Sequence, residues 1–198
     1  MIKEKVKQIY ENLSVNKWGH VKRVLAFATQ LSKKLKLKKS DIKIIQASAL
    51  LHDIGYKKQF EVGGDDLHEK YSVEMIDEIL LGEGFNEEEI KVIKEIISTH
   101  GVFEDCKTKY QKILFDADKL EKTTLGEVIR KSIIMHEKFN MNDEQIFLRL
   151  MEKMDERKFH FNESGKIAKK NKEKLFKTFN HYKELFEYAD ETEKNLII

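Results

Sequence analysis

None of the 198 residues is proline. Proline removes a backbone donor and clashes with the preceding turn, so no helix in this chain is broken that way. Glycines and capping side chains are the punctuation that remains. Between them apolar residues recur at helical spacing: Ile2, Val6, Ile9, Tyr10 and Leu13 form the first stripe. After a break at 16–19, a second helix runs to about Leu37 and buries Val24, Phe27, Leu31 and Leu35. Ser40 and Asp41 read as an N-cap pair opening the apolar helix DIKIIQASALLHDIG, which stops at Gly55. A loop over 56–65 is expected next, then a helix opened by Asp65 or Asp66 and running through Leu81. Asn86 and Glu89 have capping-box spacing for a helix that ends at His100 and Gly101. Helices over about 109–121, 123–139, 142–158 and 164–190 complete the chain, with Ile167, Leu175, Phe179, Tyr182 and Phe186 on the apolar side of the last. Strand signals are absent. The expectation is an all-α helical bundle with a C-terminal helical extension, a single domain over 1–198.

Composition narrows the function classes. Apolar residues make up 40% and charged residues 36%, with 37 basic against 35 acidic side chains. A formal charge of +2 is too near balance to imply a nucleic-acid or membrane partner. The basic runs KKLKLKK (33–39) and KIAKKNKEK (166–174) lack interleaved aromatic platforms and read as solvated helix faces. The single Cys106 allows neither an internal disulfide nor a CxxC site. No apolar run approaches the roughly 18 residues of a membrane span, and the start lacks a signal-peptide core. A cytoplasmic protein with no membrane and no nucleic-acid partner is expected. Twelve phenylalanines and the apolar-faced last helix leave room for a homodimer surface. There is no GxxxxGK[ST] loop, and no GxGxxG follows a strand.

Chemistry concentrates in a few places. In ALLHDIG, His52 and Asp53 sit side by side at the end of an apolar helix, where burial and the negative helix C-terminus both disfavour a carboxylate. A bound cation resolves that conflict; a carboxylate turning out into solvent is the plainer alternative. His20 shares a face with Val24, Phe27 and Leu31, His68 with Ser72, Met75 and Ile79, and His100 with Ile90, Ile93 and Ile97. Imidazoles converging from separate helices are what a metal site in a bundle requires. In ILFDADKLE, Asp116 and Asp118 point about 200° apart on a helix, so one alone is expected inward. Leu114 and Leu125 favour Asp118, with Asp116 the alternative. An inward carboxylate needs a cation or several donors.

The ordered set His20, His52–Asp53, His68, His100 and Asp118, with ALLHDIG and DADKLE around it, resembles the HD-domain superfamily of metal-dependent phosphohydrolases over about residues 16–135. The resemblance implies that His20, His52, Asp53 and Asp118 hold a divalent metal. It also implies that Asp53 bridges to a second ion, and that His68 and His100 either ligate that ion or face the substrate. One ion or two both fit. Nitrogen and oxygen donors without thiolate suit Mn, Fe, Co, Ni or Zn, with Mg less natural. Asp53, His68 and His100 are then the catalytic candidates, and Arg23, Lys57 and Lys119 the candidates for a phosphorylated substrate, with a nucleotide expected. Lys57 stands where some nucleotide 5′-phosphatase relatives carry Glu, and no GYP loop follows HDIGY. Two other readings share the pattern: an HD-type di-iron oxygenase and a non-catalytic, metal-stabilised nucleotide sensor.

Overall fold

The computed structural model describes residues 2–11, 13, 17–63 and 68–196. Among these there are ten α-helices and no strand. They are α1 (Ile2–Glu11), α2 (Lys17–Lys34), α3 (Lys39–Leu51), α4 (Tyr56–Val62), α5 (His68–Leu80), α6 (Glu87–Ser98), α7 (Lys109–Glu121), α8 (Leu125–Phe139), α9 (Asp143–Asp155) and α10 (Asn162–Leu196). A 3₁₀ turn spans Phe103–Asp105. The fold is all-α, as the unbroken helical periodicity requires. Among the described residues no helix is long and apolar enough to cross a membrane.

The chain forms two compact units. The first comprises residues 1–122 with 158–165, the second 123–157 with 166–198. In the first, α2 packs on α3 and α7, α3 also on α6 and α7, and α5 on α6 and α4. Val21, Val24, Ala28 and Leu31 of α2 are buried, as are Ile45 and Leu51 of α3, Ile93 and Ile97 of α6, and Ile113 and Leu114 of α7. In the second unit, Phe147, Met151, Met154 and Leu175 form a core, with Phe147 stacked on Phe179 at 3.7 Å. Met135, Ile146 and Leu150 form a neighbouring cluster.

Local chemistry explains several helix boundaries. Complete capping boxes open α6 (Asn86 with Glu89), α7 (Thr108 with Gln111) and α9 (Asn142 with Gln145). Several expectations need correcting. The expected loop at 56–65 contains α4, whose Tyr56 stacks on His68 at 4.1 Å and which ends on left-handed Gly63. α2 begins at Lys17, so Gly19 and His20 lie inside it. α3 begins at Lys39, ahead of the Ser40–Asp41 pair, with Lys38 at its N-cap and no capping side chain. The Asp65 or Asp66 helix start lies outside the described residues, as do the side chains of Tyr182 and Phe186.

Candidate metal centre

α3 ends at Leu51, and His52 to Gly55 form a turn that delivers the His52–Asp53 pair into the core of the first unit. Gly55 makes this turn feasible through space rather than through a left-handed backbone, since its φ is −63°. A Cβ here would lie 2.1 Å from the His68 carbonyl oxygen and 2.4 Å from the Ser72 nitrogen. Ser72 ties the two segments together, accepting from the Gly55 N–H at 2.9 Å and donating to the His52 carbonyl at 2.8 Å. The Asp53 N–H donates to Tyr10 Oη at 3.2 Å.

His20 from α2, the 52–53 pair, His68 from α5, His100 after α6 and Asp118 from α7 come together around Asp53. Its Oδ2 lies 3.4 Å from both His20 Nε2 and His52 Nε2. Its Oδ1 lies 3.4 Å from His68 Nε2 and 3.7 Å from His100 Nε2. Asp118 Oδ1 lies 3.5 Å from His20 Nε2. Donor atoms of His20, His52 and Asp118 fall within 4.8 Å of one another, as do those of His52, Asp53 and His100. All of these side chains are buried except His68, which is partly exposed.

The outward ring nitrogens determine what the inward ones offer. His52 Nδ1 lies 2.9 Å from the Ala49 carbonyl and His100 Nδ1 2.6 Å from the Ile97 carbonyl. A carbonyl only accepts, so Nδ1 donates in both, and each ring when neutral keeps its lone pair on Nε2. His20 Nδ1 donates to Glu121 Oε2 at 2.8 Å, and His68 Nδ1 lies 3.1 Å from Glu69 Oε2. Four imidazoles thus present Nε2 to Asp53, and His20 presents it to Asp118 as well, each with an oxygen behind it. That donor set fits a divalent cation, with the supporting shell such sites need.

Electrostatics sharpen the picture. Burial and the neighbouring imidazoles push His52 down to about 3. Burial also disfavours charge on His20, but hydrogen bonds to Asp53 and Glu121 outweigh it and raise His20 to about 9. Burial acts against the charged forms of Asp53 and Asp118 too. His52 and Lys17 hold Asp53 well below the usual carboxylate range, and Lys122 and Lys119 do the same for Asp118. Lys17 Nζ is 2.8 Å from Asp53 Oδ2; Lys122 and Lys119 are 2.7 and 3.4 Å from Asp118 Oδ2.

Both aspartates of DADKLE are buried, contrary to the expectation that one alone would face inward. Asp116 holds a different part of the chain, with its Oδ1 and Oδ2 accepting the backbone N–H groups of His160 and Phe161 at 2.9 and 3.0 Å. Leu125, invoked in favour of Asp118, is half exposed and belongs to the second unit. Arg23 gives Nε and Nη2 to Glu121 Oε1 at 2.9 and 2.6 Å, which places it behind His20. Lys57 is exposed on α4 and joins none of these ion pairs. Sequence reasoning passed over Lys17, Glu69, Glu121 and Lys122. The signal was available, since Lys17 precedes His20 by one helical turn and Glu121 and Lys122 follow Asp118 by one.

The HD domain family matches residues 18–123. The chain belongs to the HD domain family, whose members bind divalent metals. It is 41% identical over 84 residues to an uncharacterized protein of Clostridium beijerinckii, covering 42% of this chain. The chain spans about half the length of that curated relative, 50%. Among solved structures it is similar to a predicted HD superfamily hydrolase from an uncultured Thermotogales bacterium (18% identical, 93% of this chain and 91% of that one, TM-score 0.68). It is also similar to Bacillus subtilis YpgQ in complex with ADP (19%, 92% of each chain, TM-score 0.65). An HD-superfamily hydrolase from Bacillus thuringiensis is comparably similar (19%, 94% and 95%, TM-score 0.64). At these identities the structural likeness establishes the fold.

Proposed function

We propose that the protein is a metal-dependent phosphohydrolase acting on a nucleotide or another small phosphate ester or anhydride. The observation that carries this reading is the charge pattern around Asp53. Asp53, Asp118, Glu121 and Glu69 are matched by Lys17, Lys119, Lys122 and Arg23 before any ion is counted. A divalent cation therefore leaves a positive surplus inside a largely buried site, and an anionic substrate offsets it. The ADP bound by YpgQ supports a nucleotide as that anion.

His20, His52, Asp53 and Asp118 would hold one divalent ion, with Mn, Fe, Co, Ni, Zn or Mg as candidates. His68 and His100 face the other oxygen of Asp53, which suits a second ion or a substrate group there. When bound, such an ion lowers the pKa of its water from about 16 toward about 7 and polarises a phosphoryl oxygen. The chain's own contribution is positional. Glu121 and Glu69 with the Ala49 and Ile97 carbonyls fix the rings, and Lys119 and Lys122 hold positive charge beside Asp118. The setting on this reading is the cytoplasm, where nucleotides are held.

The test is hydrolysis of a panel of nucleotides and phosphate esters with Mn, Co, Ni or Mg added. Turnover is expected with at least one metal and is lost in the double variant His52→Ala, Asp53→Ala. Activity that survives in the double variant defeats the reading.

A further inference from the structure

Lysines meet the two central carboxylates in different ways. On Asp118, Lys122 and Lys119 use Oδ2 while His20 Nε2 faces Oδ1, so ammonium and imidazole occupy opposite sides of the carboxylate. On Asp53 they share an atom. Lys17 Nζ sits 2.8 Å from Oδ2, the oxygen that His20 and His52 also face at 3.4 Å. An ion held by these two imidazoles and Asp53 therefore contends with Lys17 for one oxygen, and two cations at hydrogen-bond range repel.

Lys17 also has a seat that does not depend on Asp53. Its ammonium lies 3.9 Å from the centre of the Tyr56 ring, and its side chain is only 16% exposed. Tyr56 is in turn stacked on His68. A cation–π contact strengthens where water is excluded, and this one keeps a displaced ammonium at the edge of the centre. Arg23, by contrast, is already held by two bonds to Glu121.

We infer that Lys17 is a tethered cation that occupies Asp53 Oδ2 until a divalent ion displaces it, and that the released ammonium then binds the phosphate of the substrate. The second half rests on the phosphohydrolase reading above; the first does not. Lys17 thus couples the two binding events: it opposes the ion and favours the anion that follows.

Mn²⁺ titrated into the full chain and into Lys17→Met, then inorganic phosphate titrated into each Mn²⁺-loaded protein, reads both halves without turnover. Mn²⁺ is expected to bind Lys17→Met about tenfold more tightly and phosphate about tenfold more weakly, each a change of about 1.4 kcal/mol. Lys17→Gln, neutral yet still a donor to Asp53, is expected to shift both in the same directions and stands in should the methionine variant not fold. Unchanged or weaker Mn²⁺ binding overturns the displacement, and tighter Mn²⁺ with unaltered phosphate binding overturns the anion role. A wild-type chain that binds both probes but hydrolyses nothing overturns the proposed reaction and leaves this inference standing. One that binds no Mn²⁺ overturns both.

Discussion

His20 divides its ring between two environments. Nδ1 is anchored on Glu121, itself clamped by Arg23, while Nε2 faces Asp53 and Asp118. Removing the charge of Glu121 loosens the clamp and weakens the lone pair that a metal takes. Glu121→Gln is expected to lower Mn²⁺ affinity about 10- to 100-fold, the usual effect of losing such a partner, with the helical circular-dichroism signal retained. Unchanged affinity would show that Glu121 only fills space. Asp116 gives the opposite signature. Asn at this position keeps one acceptor for the two N–H groups of His160 and Phe161, leaving one unpaired. Asp116→Asn is expected to cost about 1–3 kcal/mol in denaturant unfolding while Mn²⁺ affinity stays near wild type. At this scale the sequence exposed the residues with unusual chemistry on apolar faces, His20, His52, Asp53, His68, His100 and Asp118. It hid those whose role depends on a distant partner. Glu121 resembles any charged residue near a helix end until Arg23 and His20 stand beside it.

At the level of elements, the approach of the 52–55 turn to α5 controls the centre. Both atoms nearest a Cβ on Gly55 are backbone, belonging to His68 and Ser72, so no side-chain rotation makes room. Gly55→Ala must move the turn or α5, and α5 carries His68. The expected loss is about 1–3 kcal/mol, accompanied by weaker Mn²⁺ binding. Full stability with wild-type affinity would mean that the two segments separate freely. Helices closed by local chemistry were legible in advance: the Asn86–Glu89 and Asn142–Gln145 pairs mark α6 and α9 because capping is a matter of four neighbouring residues. α4 was not legible. It has seven residues and no capping side chain at its start, and Tyr56 stacks on a histidine twelve positions later. The need for glycine at 55 was equally hidden, since it is set by the nearness of another helix rather than by the turn's own φ.

On the scale of the whole molecule, buried histidines with opposed shifts give stability a defined pH dependence. In the metal-free chain His20 is raised to about 9 from 6.5, so its contribution is complete below about pH 6.5 and is lost as pH rises through 9. His52 is depressed to about 3, so its contribution is complete above 6.5 and is lost as pH falls toward 3. The two slopes oppose each other, and the melting temperature in EDTA is expected to peak near pH 6.5. A divalent ion competes with the proton on His20 Nε2, so its stabilising effect grows with pH across the same window. At a hundred times its Kd, bound Mn²⁺ adds about 2.7 kcal/mol, or about 5–10 °C for a chain of this size. Thermal melts from pH 5 to 9, in EDTA and in Mn²⁺, check both expectations. A metal-free protein whose melting temperature climbs steadily to pH 9, or a Mn²⁺ increment that shrinks as pH rises, would mean that His20 carries no proton for an ion to displace. A neutral His20 would then offer its Nε2 lone pair to a cation with no proton to displace.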